Sequence, residues 1–349
     1  MPSVPGDLLP LLACPACAGA LAADAPGLSC AACGRRFAAP EGIPDLRREV
    51  DARGGVVRDF YSAAPFPGYP PRDSAAALRA RAGRSAFARL LDEAIAPDAT
   101  VLEVGCGTGQ MSLFLATGDR LVVGADLTRA SLLLAADAAR RLSVPRVRLV
   151  ETDLRRPGLR AGAFDVVYCS GVLHHTPDPA ASFQAIARLA RPRGIVVVGV
   201  YNAYARVPHR LRRAVARLTG FRWIPLDPVL RDREAEPARR IAWLRDQYRH
   251  PEEHRHTLAE VQRWFRAAGV AYLRTYPTTL VGEAPLGPGG LFTAAADDWP
   301  LENLLQQLSW AWTLGGEGGL FVVIGRARGR DRARDRAGGG LASVGSSPS

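Results

Sequence analysis

Four cysteines near the N-terminus, Cys14, Cys17, Cys30 and Cys33, fall in the pattern C-x2-C-x12-C-x2-C. Two such knuckles bring four thiolates together, a donor set that suits tetrahedral Zn2+. Gly19, Leu21, Gly27 and Leu28 between them predict a short hairpin. Four protein ligands leave no open coordination position, so the metal expected here is structural. Paired disulfides are the competing use of these residues, and a chain without an export signal would not keep them in a reducing cytosol. Cys106 and Cys169 stand alone in later apolar segments and read as small buried hydrophobes.

A second set of residues points to a nucleoside. Gly105-Cys106-Gly107-Thr108-Gly109 follows the apolar run Val101–Val104 and opens a helix through Met111–Ala116. Three glycines let the backbone turn sharply and approach a ligand closely. The spacing is G-x-G-x-G, not the G-x-G-x-x-G that seats a pyrophosphate. Asp126 ends the next strand, Leu121–Asp126, and Asp153 follows the third, Val147–Val150. A carboxylate at the second strand end can accept both hydroxyls of a ribose, and one after the third can accept from the adenine amine. Together they describe an adenosine-shaped site without provision for phosphates.

The elements around these residues alternate. A helix is expected from Ser85, with Phe87, Leu90, Leu91 and Ile95 at helical spacing. Residues 129–141 form another, and Phe164–Ser170 is the fourth strand. Asp178 caps a helix that begins at Pro179. Pro192-Arg193-Gly194 turns into a fifth strand, Ile195–Val200. Such alternation demands a parallel sheet with helices on both faces, and ligands sit at the carboxyl ends of its strands. Thr257-Leu258-Ala259-Glu260 reads as a capping box whose helix ends at Gly269. Ala271–Tyr276 and Leu320–Gly325 are further strands.

Val101–Gly109, Asp126, Asp153, and Phe164-Asp165-Val166-Val167 with Val172-Leu173-His174-His175 resemble class I S-adenosylmethionine-dependent methyltransferases. The likeness is to the group that includes quinone and other small-molecule methylating enzymes, and it covers residues 85–200. It implies an α/β, Rossmann-like, seven-stranded sheet, parallel with an antiparallel last strand, preceded by a small zinc ribbon. It further implies S-adenosyl-L-methionine as cofactor, with Glu103, Gly105, Gly107 and Gly109 at its methionine part. Asp126 would take the ribose, Asp153 and Leu154 the adenine, and Ser170 and Gly171 would line the methyl end. Tyr61, beside Phe60, lies where this group often places an aromatic over the cofactor. His174 and His175 sit at the rim of the methyl site, one of them as general base or both as loop-structuring residues. His254 belongs to a polar stretch, 246–256, that is the third candidate for a base. The N-terminal segment, with Gly42-Ile43-Pro44-Asp45-Leu46, resembles the small zinc-ribbon proteins that partner or precede methyltransferases acting on RNA and protein.

The boundaries that follow are a ribbon over 1–46, a connector over 47–83 and a methyltransferase domain over 84–327. Insertions at 202–256 and 277–319 would cover the substrate, and 328–349 is an Arg/Gly/Ser tail expected to be disordered. In the first insertion, Arg206, Arg210, Arg212 and Arg213 either meet an anionic substrate or form the outer face of a helix with Leu211, Val215 and Leu218 inside. The second is the expectation. Trp223, Trp243 and Trp264 fall at helix-core spacing.

The formal charge of +11 comes from 45 basic residues, all of them arginine, against 34 acidic ones. Complete absence of lysine alongside abundant alanine, glycine and proline points to compositional bias. Six arginines and two aspartates over the C-terminal run Arg326–Arg336 supply +4 of the excess. A charge-driven nucleic-acid function is therefore not favoured, although an RNA methyltransferase that docks RNA through its ribbon stays as the alternative. A cofactor-binding scaffold without turnover is the other, and the intact glycine loop and both aspartates speak against it. The longest strongly apolar run, Ile195–Tyr201, is far short of the roughly 20 residues a membrane span needs. The N-terminus lacks a basic segment leading into a long apolar one, which predicts a cytoplasmic protein. The acceptor expected is a small or lipid-like molecule held under 202–256.

Overall fold

The glycine loop and its two aspartates need three strand ends side by side, and the sheet supplies them. In the computed structural model, the described residues are 4–48, 55, 58–59, 61–62, 65, 74–231, 237–249, 252–283, 286–287, 289–296, 299–314 and 318–329. Phe60 and the tail from residue 330 lie outside them. The ribbon is a three-stranded antiparallel sheet of β1 (Leu21–Asp24), β2 (Gly27–Cys30) and β3 (Arg36–Ala38). The main sheet holds β4 (Thr100–Val104), β5 (Leu121–Asp126), β6 (Val147–Glu151), β7 (Phe164–Ser170), β8 (Ala190–Tyr201), β9 (Val270–Tyr276) and β10 (Leu320–Ala327). Their order is β6-β5-β4-β7-β8-β10-β9. Strands β4 to β8 pair in parallel, while β10 runs antiparallel to both β8 and β9. Chain order reverses at β4, which pairs β5 on one side and β7 on the other, and such a switch point opens a crevice at the carboxyl ends.

Ten helices flank the sheets among the described residues: α1 (Ala75–Gly83), α2 (Ala86–Ala94), α3 (Gln110–Ala116), α4 (Arg129–Arg141), α5 (Pro179–Ala187), α6 (Val207–Leu218), α7 (Pro228–Arg231), α8 (Pro237–Arg249), α9 (Leu258–Ala267) and α10 (Pro300–Thr313). The core lies on both faces of the main sheet, as near-continuous apolar strands require. One side packs Val123, Phe183, Phe265 and Phe321, the other Leu91, Leu113, Val122 and Val197. No helix among the described residues is long and apolar enough to cross a membrane.

Local chemistry explains most boundaries and corrects some. Ser85 and Asp178 cap α2 and α5 by accepting from the amides of Ala88 and Ala181. Thr257 accepts from the Glu260 amide, but the Glu260 carboxylate turns to His256 Nδ1 at 2.9 Å, so only half of the expected capping box forms. The expected turn at 192–194 lies inside β8, where the register against β7 shifts between Phe164 and Val166. The segment taken as a connector contains α1, capped by Ser74; Leu78 is its one buried side chain, which leaves little periodicity to read.

Helix α6 departs furthest from expectation. Leu211 and Leu218 are 66% and 87% exposed, whereas Arg206 just before the helix is fully buried. The reason is Glu253, whose nearly buried carboxylate takes Arg206 at 2.9 Å and Arg213 at 3.3 Å. Arg206 also donates to Gln247 and to the Gly318 carbonyl, and its guanidinium lies 3.7 Å from the Tyr201 ring centre. A buried carboxylate needs cations and donors beside it, and that need outweighs burying two leucines.

The ribbon is mounted on the outer edge of the main sheet. The Glu151 amide at the end of β6 donates to the Pro44 carbonyl, and the Leu46 amide donates back to Glu151. Ala13 donates to the Gly158 carbonyl and Arg160 to that of Leu11. Leu12 and Leu46, both fully buried, join Val150 and Leu159 in one core cluster. Arg47 and Arg129 clamp the buried Glu151 carboxylate at 2.8 and 3.0 Å, and Arg129 reaches Glu41 as well. Leu46→Ala, which opens a cavity at this joint, is expected to cost about 2–4 kcal/mol. Thermal or denaturant unfolding checks this, and a loss below about 1 kcal/mol would contradict a load shared between the two units.

Candidate active site

The crevice at the switch point is a cavity of about 640 Å³, within the range that holds a cofactor-sized molecule. Glu103, Gly105 and Gly107 reach its wall from β4 and the loop after it, and Asp126 from the end of β5. Asp153 and Leu154 follow β6, Ser170 and Gly171 end β7, and His175 and Tyr61 also line the cavity. Gly109 is absent from the wall. It is left-handed (φ +78°), and a Cβ there would lie 2.9 Å from that of Ala135, so its glycine serves the packing of α3 on α4.

Gly107, also left-handed at φ +53°, turns its amide to the Asp126 carboxylate at 2.9 Å. The other Asp126 oxygen accepts from the Thr128 amide at 2.8 Å. Burial raises the pKa of Asp126, against the lowering effect of these amides. Glu103, one strand away, is pushed up to about 8 by burial, although the Ser112 hydroxyl donates to it. Two carboxylates with unfavourable desolvation thus face one cavity. Asp153 is differently placed, its carboxylate holding Arg155 at 2.7 Å.

The three candidate bases separate. His175 Nδ1 lies 2.7 Å from the Glu252 carbonyl, which only accepts, so Nδ1 carries the proton and Nε2 the lone pair. Burial lowers His175 to about 4, leaving the ring neutral at pH 7. His174 is buried away from the wall, its ring 3.8 Å from that of Tyr201. His254 is 39% exposed, also off the wall, with Nε2 3.3 Å from Glu252.

The first insertion brings Trp243 and Gln247 to the cavity, next to Tyr201 at the end of β8. Trp243 Nε1 donates to Asp227 at 3.1 Å, and Gln247 Nε2 donates to the Tyr201 hydroxyl oxygen at 2.8 Å. Helical spacing marks Trp243 as core, and nothing in the sequence distinguishes it from Trp264, which is core. Trp223 is 61% exposed. Residues 277–319 contribute no described side chain to the wall.

The four ribbon cysteines form a separate cluster, with all four sulfurs within 4.8 Å of one another. Sγ of Cys14 and Cys33 are 3.7 Å apart, and those of Cys17 and Cys30 3.5 Å. Metal–sulfur bonds of about 2.3 Å in a tetrahedron give edges of about 3.8 Å, which these spacings fit and a disulfide of about 2.05 Å does not.

Residues 102–198 match the family described as a methyltransferase domain. The sheet order and switch-point loop above agree with that match, so this segment is similar to class I S-adenosylmethionine-dependent methyltransferase domains. An uncharacterised protein of Synechococcus sp. is 28% identical over 245 residues, 62% of this chain and 59% of that protein. The ubiquinone biosynthesis O-methyltransferase of Paracidovorax citrulli is 36% identical over 107 residues, 30% of this chain and 45% of that enzyme. The trans-aconitate 2-methyltransferase of Azoarcus sp. is 33% identical over 154 residues, 42% and 57% of the two chains. The chain thus spans about half the length of these relatives.

Glu103 supplies a test of the site's electrostatics. Its folded-state pKa, raised to about 8, exceeds that of an unfolded glutamate near 4.3. The folded protein therefore loses stability as pH climbs from about 4 through 8, because ionising the buried carboxyl is costly. Glu103→Gln removes that cost, so the melting-temperature advantage of the variant over the parent should widen between pH 5 and 8.5. An advantage that does not change with pH would refute the assignment.

Proposed function

We propose that this chain transfers a methyl group from S-adenosylmethionine to a small-molecule acceptor in the 640 Å³ cavity. The observation that carries the reading is the pair of buried carboxylates, Glu103 and Asp126, raised in pKa at one wall beside the glycine loop. A ligand that brings hydroxyl donors and positive charge relieves both. Bound S-adenosylmethionine supplies a methyl group already activated on a sulfonium. Asp126 would accept the ribose hydroxyls while the Gly107 and Thr128 amides hold its carboxylate still. Glu103, Gly105 and Gly107 would face the methionine part, Asp153 and Leu154 the adenine, and Ser170 and Gly171 the methyl end.

The chain's remaining task is to orient the acceptor in line and exclude water. Tyr61 and Trp243 would cover the site, with Tyr201 and Gln247 behind the acceptor. His175 Nε2, with its lone pair held by the Nδ1 bond to Glu252, would take the proton of a hydroxyl acceptor. His174 and His254 would act through structure instead. The relatives named for ubiquinone biosynthesis and for trans-aconitate support a small acceptor. We further assign one structural Zn2+ to Cys14, Cys17, Cys30 and Cys33, on the sulfur spacings.

Calorimetry should find S-adenosylmethionine binding in the parent protein and a loss of at least about 1–3 kcal/mol in Asp126→Ala; equal binding would sink the site. With cofactor labelled on the methyl group, label should enter small molecules of a cell extract. Label entering RNA instead would replace this reading with the RNA alternative. Metal analysis should give about one zinc per chain and none in Cys30→Ser; a zinc-free parent would remove the metal assignment.

A further inference from the structure

A second cleft, about 710 Å³, lies between the ribbon and the segment that follows it. Its wall is dominated by arginine: Arg35 and Arg36 from the ribbon, Arg47 and Arg48 from the segment after it, and Arg58. Arg58 also lines the cofactor cavity, as does Tyr61 three residues further on. The two cavities therefore share a wall residue, Arg58.

Carboxylates occupy three of the five cations. Arg36 pairs with Asp24, Arg47 with Asp45 and Glu151, and Arg58 with Asp59. Arg35 and Arg48 form no ion pair among the described residues. Two guanidinium groups in one cleft without carboxylate partners match the charge of a single phosphate or diphosphate, which arginine binds in bidentate fashion. A nucleic-acid track needs a longer run of cations and several stacking aromatics. Here Asp45 interrupts the wall, and Phe37 is its only aromatic among the described residues.

Building on the small-acceptor reading above, we propose that this cleft holds a phosphate or diphosphate group carried by the methyl acceptor, with Arg35 and Arg48 as its ligands and Arg58 at the junction of the two cavities. The ribbon then has a second use, as one wall of the acceptor site. Arg47 would hold the joint together through Glu151 and Asp45.

Inorganic pyrophosphate is the probe, titrated into the full-length protein without divalent metal and with S-adenosylhomocysteine at saturation. One site is expected, weakened at least tenfold in Arg35→Gln/Arg48→Gln and in the single charge reversal Arg48→Glu. Both variants should bind S-adenosylhomocysteine as the parent does, so the cofactor reading stands or falls on a separate measurement. Absence of pyrophosphate binding at millimolar concentration, or equal binding by parent and both variants, would overturn the proposal. Displacement of pyrophosphate by a 20-nucleotide single-stranded RNA, with a salt slope of about three or more, would also overturn it. At about 0.7 per contact that slope means four or more phosphates.

Discussion

The hydrogen bond from the Gly107 amide to the Asp126 carboxylate ties the glycine loop after β4 to the end of β5. The loop can turn left-handed there only because glycine occupies the position, and the carboxylate can stay buried only because amides face it. Neighbouring features follow from this arrangement. Glu103 sits one residue short of the end of the adjacent strand, in the same low-dielectric wall, and is strained electrostatically by the same burial. The crevice exists because chain order reverses at β4, and the carboxylates stand where that reversal leaves backbone amides pointing outward. The charge pattern of the site is thus a product of sheet topology.

The half of the domain that carries these groups was readable from the residues. Strands β4 to β7 are short apolar runs that end in a carboxylate or run directly into a glycine, and helices α2 and α5 announce themselves through Ser85 and Asp178. What was hidden depends on partners distant in sequence. Nothing local says that Glu253 will be buried, and once it is, Arg206 and Arg213 must turn inward and Leu211 and Leu218 outward. Gly109 looked like its two loop neighbours, yet Ala135, on another helix, decides its role. Trp243 reaches the cavity because Asp227 holds its indole nitrogen, a contact that spacing within α8 does not reveal. The histidines separate for a similar reason, since the Glu252 carbonyl selects His175 and the packing against Tyr201 withdraws His174.

The first insertion couples several of these features. Tyr201 ends β8, Gln247 donates to its hydroxyl, Arg206 lies across its ring, and Glu253 neutralises Arg206. Residues widely separated in the chain thereby form one polar block behind the cavity, without any apolar interior of their own. Such a block is specific in geometry, because each member satisfies another's hydrogen-bonding need. It fixes the back of the cavity more tightly than the exposed leucines on α6 fix its outside.

Segment 43–46 also has a bearing on how the chain survives synthesis. Strand β6 is the outermost strand on its side of the sheet, and an uncovered edge offers unpaired amides and carbonyls to any passing strand. Pro44 and Leu46 occupy those groups at Glu151, and Asp7 engages Arg148 further along the same strand. Because the covering segment is made first on the ribosome, it is already present when β6 emerges. The ribbon thus guards the newborn sheet against its neighbours, and a main sheet cut free of it would leave that border open to self-association.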